Sequence, residues 1–96
     1  MRIEVTQGDI DLAHQLHGEQ GQVFNFDKDC PVALAIRRQA GRAEIRVGSL
    51  RAYHALKVVD SNTTIFPDEA QQFIRDFDDG QPVQPFSFEY DLNKIT

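Results

Sequence analysis

Ninety-six residues, 41% hydrophobic and 26% charged, suffice for one domain around one core and argue against disorder. The formal net charge of −5 and sequence pI of about 5.0 set the chain apart from domains whose main task is nucleic-acid binding, which are basic overall. No apolar run approaches the ~20 residues that span a bilayer, so no membrane partner is expected.

The opening Met1-Arg2-Ile3-Glu4-Val5 has no apolar run behind its charge, so no secretory signal is visible. Cys30, the single cysteine, has no partner for an internal disulfide, which fits a reducing compartment. A cytoplasmic location is the expectation. The charge is unevenly spread: residues 1–30 carry a net −4, residues 31–59 a net +5 and residues 60–96 a net −6. Either the acidic ends fold back beside a basic middle, or the two signs face different partners or a second copy of the chain.

In chain order, Arg2 to Thr6 alternates with Ile3 and Val5 on one face and reads as a strand. Thr6-Gln7-Gly8-Asp9 resembles a capping box with aspartate in place of glutamate. Ile10, Ala13, His14 and His17 then follow at helical spacing, predicting a helix over about 7–17 that stops at Gly18. Residues 18–28 read as a loop anchored by Val23, Phe24 or Phe26.

Asp29 to Gly41 (D-C-P-V-A-L-A-I-R-R-Q-A-G) is the stretch around which the chain is organised. Asp29 or Cys30 stands at the cap and Pro31 at the first helical position, where its missing N–H costs nothing. Val32 to Ile36 are apolar almost all round, so they must be covered on most sides. Arg37 and Arg38 suit the negative end of the helix, and Gly41 suits a left-handed stop.

Ala43, Ile45 and Val47 alternate with Glu44 and Arg46, Gly48-Ser49 signals a turn, and Leu50 to Val59 forms a second run. A hairpin follows, with Ala52, His54, Leu56 and Val58 on one face and Arg51, Tyr53, Lys57 and Val59 on the other. Ile65-Phe66-Pro67-Asp68-Glu69 marks another helix start. Ala70, Phe73, Ile74 and Phe77 recur at i, i+3, i+4 and i+7, while Gln71, Gln72, Arg75 and Asp76 point away. Asp79-Gly80 ends that helix and Gln81 to Pro85 is an extended connector. Phe86, Phe88, Tyr90 and Leu92 then alternate with polar residues as a strand whose aromatic face must be covered. The order β-α-α-β-β-α-β predicts a single α+β domain over 1–96: a mostly antiparallel sheet of about four strands with two to three helices.

Few residues carry readable chemistry. Cys30 at a helix N-terminus is the candidate reactive thiol, since backbone N–H groups and the dipole stabilise a thiolate. His14, His17 and His54 are the available bases, yet no spacing brings one to it. His14 and His17 at i and i+3 could contribute to a zinc site only with a further ligand pair, and no C-x-x-C exists. The acids Asp76, Asp78, Asp79, Glu89 and Asp91 could do acid–base work only by converging in a pocket. Arg46, Arg51 and Lys57, with Tyr53 between them, could form a phosphate-tracking face with a stacking aromatic. No Gly-rich phosphate loop is present. Neither catalytic residues nor a cofactor or metal is expected.

Cys30 to Arg37 (C-P-V-A-L-A-I-R) and Phe73 to Glu89 (F-I-R-D-F-D-D-G-Q-P-V-Q-P-F-S-F-E) resemble a group of small uncharacterised proteins encoded by bacterial phages, prophages and other mobile elements. In that group a strand end like Val5-Thr6-Gln7 precedes the C-P-V-A-L helix. The resemblance covers both ends and the first helix, and covers 42–64 poorly. It implies a shared fold and an accessory role in a bacterial cytoplasm, with a host factor as target, and carries over no catalytic residue. The leading expectation is a non-enzymatic protein that binds another protein, with self-association on the same ground. A nucleic-acid-binding module using Arg46, Arg51, Tyr53 and Lys57 is the first alternative. A small thiol-dependent enzyme centred on Cys30 is the second.

Overall fold

The computed structural model describes residues 1–20, 26–48, 50–54 and 65–92. Its elements are β1 (Arg2–Val5), α1 (Gln7–Gln20), α2 (Phe26–Asp29), α3 (Pro31–Ala40), β2 (Ile45–Val47), β3 (Ala52–His54), α4 (Asp68–Asp78) and β4 (Phe86–Glu89). This is the α+β order read from the sequence, with one addition. The four-residue α2 forms where a loop was expected.

The chain opens on the capping box. Thr6 caps α1: the Thr6 amide and hydroxyl donate to Asp9 Oδ2 at 2.9 and 3.0 Å, and the Asp9 amide donates back to Thr6 Oγ1 at 3.2 Å. Two otherwise unpaired donors are satisfied reciprocally. The helix runs through Gly18 to Gln20 rather than stopping at the glycine. A glycine inside a helix costs only about 1 kcal/mol relative to alanine, too little by itself to stop α1.

In α3, Cys30 rather than Asp29 is the cap, and its Sγ accepts from the Ala33 amide at 3.4 Å. Pro31 occupies the first position, and Gly41 ends the helix at φ 67°, a left-handed conformation that glycine adopts without a Cβ clash. Pro31, Val32, Ala33, Ala35 and Ile36 are buried. Their nearest neighbours are α1, α2, β1 and β2. Helix α4 joins the same core through Ala70, Phe73, Ile74 and Phe77, the i, i+3, i+4, i+7 set.

Among the described residues the strands make two antiparallel pairs rather than one four-stranded sheet. β1 pairs with β4 in the register Arg2↔Glu89 to Val5↔Phe86, and β2 pairs with β3 as Ile45↔His54, Arg46↔Tyr53 and Val47↔Ala52. A physical reason for the split lies in α3. Gln39 Oε1 accepts from the Glu4 amide at 2.7 Å, and Arg38 donates to the Glu4 carbonyl at 3.0 Å. Gln39 also donates to the Arg2 carbonyl at 3.4 Å. Side chains therefore occupy the edge of β1 that another strand would need, which also blunts it against foreign strands.

Aromatic packing joins the pairs. The Phe66 ring meets Phe88 edge-on at 5.6 Å and Tyr90 at 4.7 Å, within the range where such contacts add to burial. The Tyr90 hydroxyl accepts from the Ala52 amide at 3.0 Å, tying the end of β4 to the start of β3 in a buried contact. No described helix is long and apolar enough to cross a membrane.

Candidate functional site

Three of the four hairpin candidates lie on one face. Ile45, Val47 and Ala52 turn into the core, so the period-2 alternation turns Arg46, Arg51 and Tyr53 outward. Arg46 and Tyr53 are cross-strand partners. The Arg46 guanidinium donates to the Ala43 carbonyl at 2.8 Å and to the Ile45 carbonyl at 3.2 Å, which holds it against the hairpin. Arg51 forms an isolated antiparallel bridge with Ile65. Arg37 stands close enough that burial, followed by the positive charge of Arg46, holds its guanidinium below the usual value. Lys57 lies outside the described residues, as do Val23, Phe24, Leu56, Val58 and Val59.

Cys30 is closed off. It is 2% exposed and its sulfur serves as the α3 cap. Burial, reinforced by the negative charge of Asp78, pushes the thiol up to about 12. The hydrogen bonds from Ala33 and Val32 and the charge of Arg37 pull the other way and are outweighed. Desolvation therefore outweighs the helix dipole at this thiol, since a thiolate here would be stripped of water.

Of the candidate bases, the described side chains are those of His14 and His17. His14 and His17, one turn apart on α1, line a cleft of about 250 Å³ with Phe77, Asp78 and Gly80, and the His14 ring lies 5.3 Å from that of Phe77. Cys30 does not line it. Among the described residues no group of three potential ligands converges on a point that could hold a metal ion.

The most developed charged contact is structural. Arg38 grips Asp9 with both arms, Nε to Oδ1 at 3.2 Å and Nη2 to Oδ2 at 2.8 Å. Asp9 is buried, which by itself would raise its carboxyl. The Arg38 and Thr6 hydrogen bonds outweigh that and hold it below the usual carboxylate range.

A surface the sequence reading did not single out lies where the connector enters β4. Glu69, Gln72, Phe73 and Asp76 of α4 face Pro82, Val83, Gln84, Pro85 and Phe86 across a shallow groove of about 360 Å³. The Phe73 and Phe86 rings meet at 4.6 Å, tilted by 33°, in its floor, and Phe86 is only half-buried. A second shallow cleft, lined by Glu4 to Gln7 with Pro85 to Ser87, meets the first at Pro85 and Phe86. The signal was present in α4: Glu69, Gln72, Phe73 and Asp76 share the i, i+3, i+4, i+7 spacing of one helical stripe. It was hidden because Phe73 belongs equally to the core stripe, and a sequence does not show where two faces of a helix meet a neighbour.

In comparisons with known proteins, no family model, no curated protein and no solved structure matches this chain.

Proposed function

We propose that the chain is a small non-enzymatic accessory protein of a phage or mobile element that works in the bacterial cytoplasm by binding another protein. The observation that supports it most is the surface at the start of β4. There the half-buried Phe86 and exposed Pro85 lie between two open clefts, in a domain whose other large aromatics of β4 and α4 are buried. Apolar surface flanked by polar groups is the usual composition of a docking patch. The resemblance to mobile-element proteins supplies the biological setting, with a host factor as the target class.

The test is crosslinking and affinity capture from bacterial lysate, with wild type beside a charge-reversed Arg46→Glu/Arg51→Glu/Lys57→Glu variant. Recovery of a specific, saturable partner by the wild type supports the reading. Recovery of nothing above an unrelated domain of equal charge ends it.

A second reading is favoured by one observation, the outward grouping of Arg46, Arg51 and Tyr53 beside Arg37. In it the hairpin face tracks phosphates and Tyr53 stacks on a base. Fluorescence titration with single- and double-stranded oligonucleotides decides it. Binding that weakens steeply with salt supports this reading, and no binding at low salt removes it.

A further inference from the structure

We infer that the groove between α4 and the 81–86 connector takes an extended segment of a partner protein carrying two basic side chains about one polyproline turn apart, with apolar residues between them. This rests on the protein-binding reading above and adds the chemistry of the partner.

The Phe73 and Phe86 rings meet at 4.6 Å, tilted by 33°, and Pro82, Val83 and Pro85 form the opposite wall, so the base of the groove is apolar. The rim is anionic. Glu69 and Asp76 line it, and among the described residues no lysine or arginine does; Arg75 stands outside the groove and donates to Gln72 Oε1 at 3.1 Å. Asp76 Oδ1 accepts from the Gln72 side-chain Nε2 at 2.8 Å, a neutral donor that leaves the negative charge in place. An acidic or neutral partner would desolvate these carboxylates without compensation, whereas a cation would pair with them.

The spacing sets the second requirement. Glu69 and Asp76 are separated by two turns, about 10 Å along the helix axis. An extended polyproline-type segment rises about 3.1 Å per residue and repeats every three, so side chains at i and i+3 emerge on one side about 9 Å apart. Pro82 and Pro85 lack N–H groups, so the connector wall cannot offer the regular donor ladder of an added strand. Side chains and the aromatic floor must supply most of the recognition, as in other aromatic-lined grooves for extended peptides.

The test uses the full chain and a fluorescein-labelled octapeptide with arginines three residues apart and proline and leucine between them. Comparison peptides place the arginines adjacent or replace them with glutamates. Expected is saturable anisotropy for the first peptide, at least about tenfold weaker binding for the other two, and loss of affinity with added salt. Glu69→Gln/Asp76→Asn should weaken the first peptide about tenfold. Asp68→Asn/Asp79→Asn, which removes the same charge from exposed positions outside the groove, should change it less than about threefold. Circular dichroism checks that both variants stay folded.

Equal losses in the two variants, or no preference among the peptides, overturn the inference. So does a concentration-dependent oligomer in sedimentation that Glu69→Gln/Asp76→Asn dissolves, since the groove would then belong to a second copy. A partner captured from lysate equally by wild type and the groove variant overturns the groove while leaving the protein-binding reading intact.

Discussion

Cys30 and Asp9 show how single side chains are committed to structure. The Cys30 thiol, raised by burial from its ordinary 9.0 to about 12, should be inert to iodoacetamide in the native protein at pH 8 and react only at the rate of unfolding. Rapid native-state alkylation would revive the thiol-dependent alternative. Because the folded state favours the protonated thiol, its stabilising effect is complete below pH 9.0 and is lost as pH climbs towards 12. Asp9 has the opposite sign. Its folded carboxyl lies below the usual 3.8, so its contribution is full above that pH and disappears as acid protonates the folded carboxylate. Asp9→Asn should therefore cost about 1.5–3 kcal/mol near neutrality, the range for hydrogen bonds to charged groups. That gap should close in acid unfolding titrations below about pH 4. A gap unchanged down to pH 2 would mean that Arg38 contributes little through charge.

At the scale of elements, α1 and α3 use their glycines differently. Gly18 lies inside α1, and a Cβ built there meets nothing within 4 Å. Gly18→Ala is expected to stabilise the protein by about 0.5–1 kcal/mol, because alanine loses less backbone freedom on helix formation. Thermal melts would check it, and an unchanged or lower midpoint would indicate that α1 frays before Gly18. Gly41 is the reverse case. With φ at 67°, alanine there would cost about 1–2 kcal/mol. Both stops looked alike in the sequence. What separates them is backbone conformation: Gly41 takes the left-handed φ of 67°, whereas Gly18 keeps the right-handed helical backbone of α1.

For the whole molecule, the joint between the two strand pairs is the informative feature. Tyr90 is 2% exposed, packs its ring at a tilt against Phe66 and accepts the Ala52 amide proton through its hydroxyl. Tyr90→Phe keeps the ring and strands that buried amide. A loss of about 1–3 kcal/mol is expected, together with faster hydrogen exchange at Ala52. Exchange as slow as in wild type would show that another acceptor takes the proton. Charge segregation also resolves at this scale. The acidic N-terminal third meets the basic middle through Asp9 and Arg38, so part of the +5 is spent internally. The hairpin cations Arg46 and Arg51 remain on an outward face, well separated in sequence from the acidic groove of α4.

By itself the sequence determined the local elements: the Thr6–Asp9 capping box, the cap and proline of α3, the Phe73/Phe77 stripe of α4 and the alternating strands all follow from spacings of a few residues. Such signals act through the chain's own neighbours and need no knowledge of the fold. Tertiary structure alone decided the split into two strand pairs, through Arg38 and Gln39 reaching back over thirty residues to the β1 edge. It also decided that Cys30 is sealed and that Glu69 and Asp76 face Pro82 to Phe86 across a groove. Desolvation and cleft formation depend on which distant surfaces meet, and no local pattern encodes that.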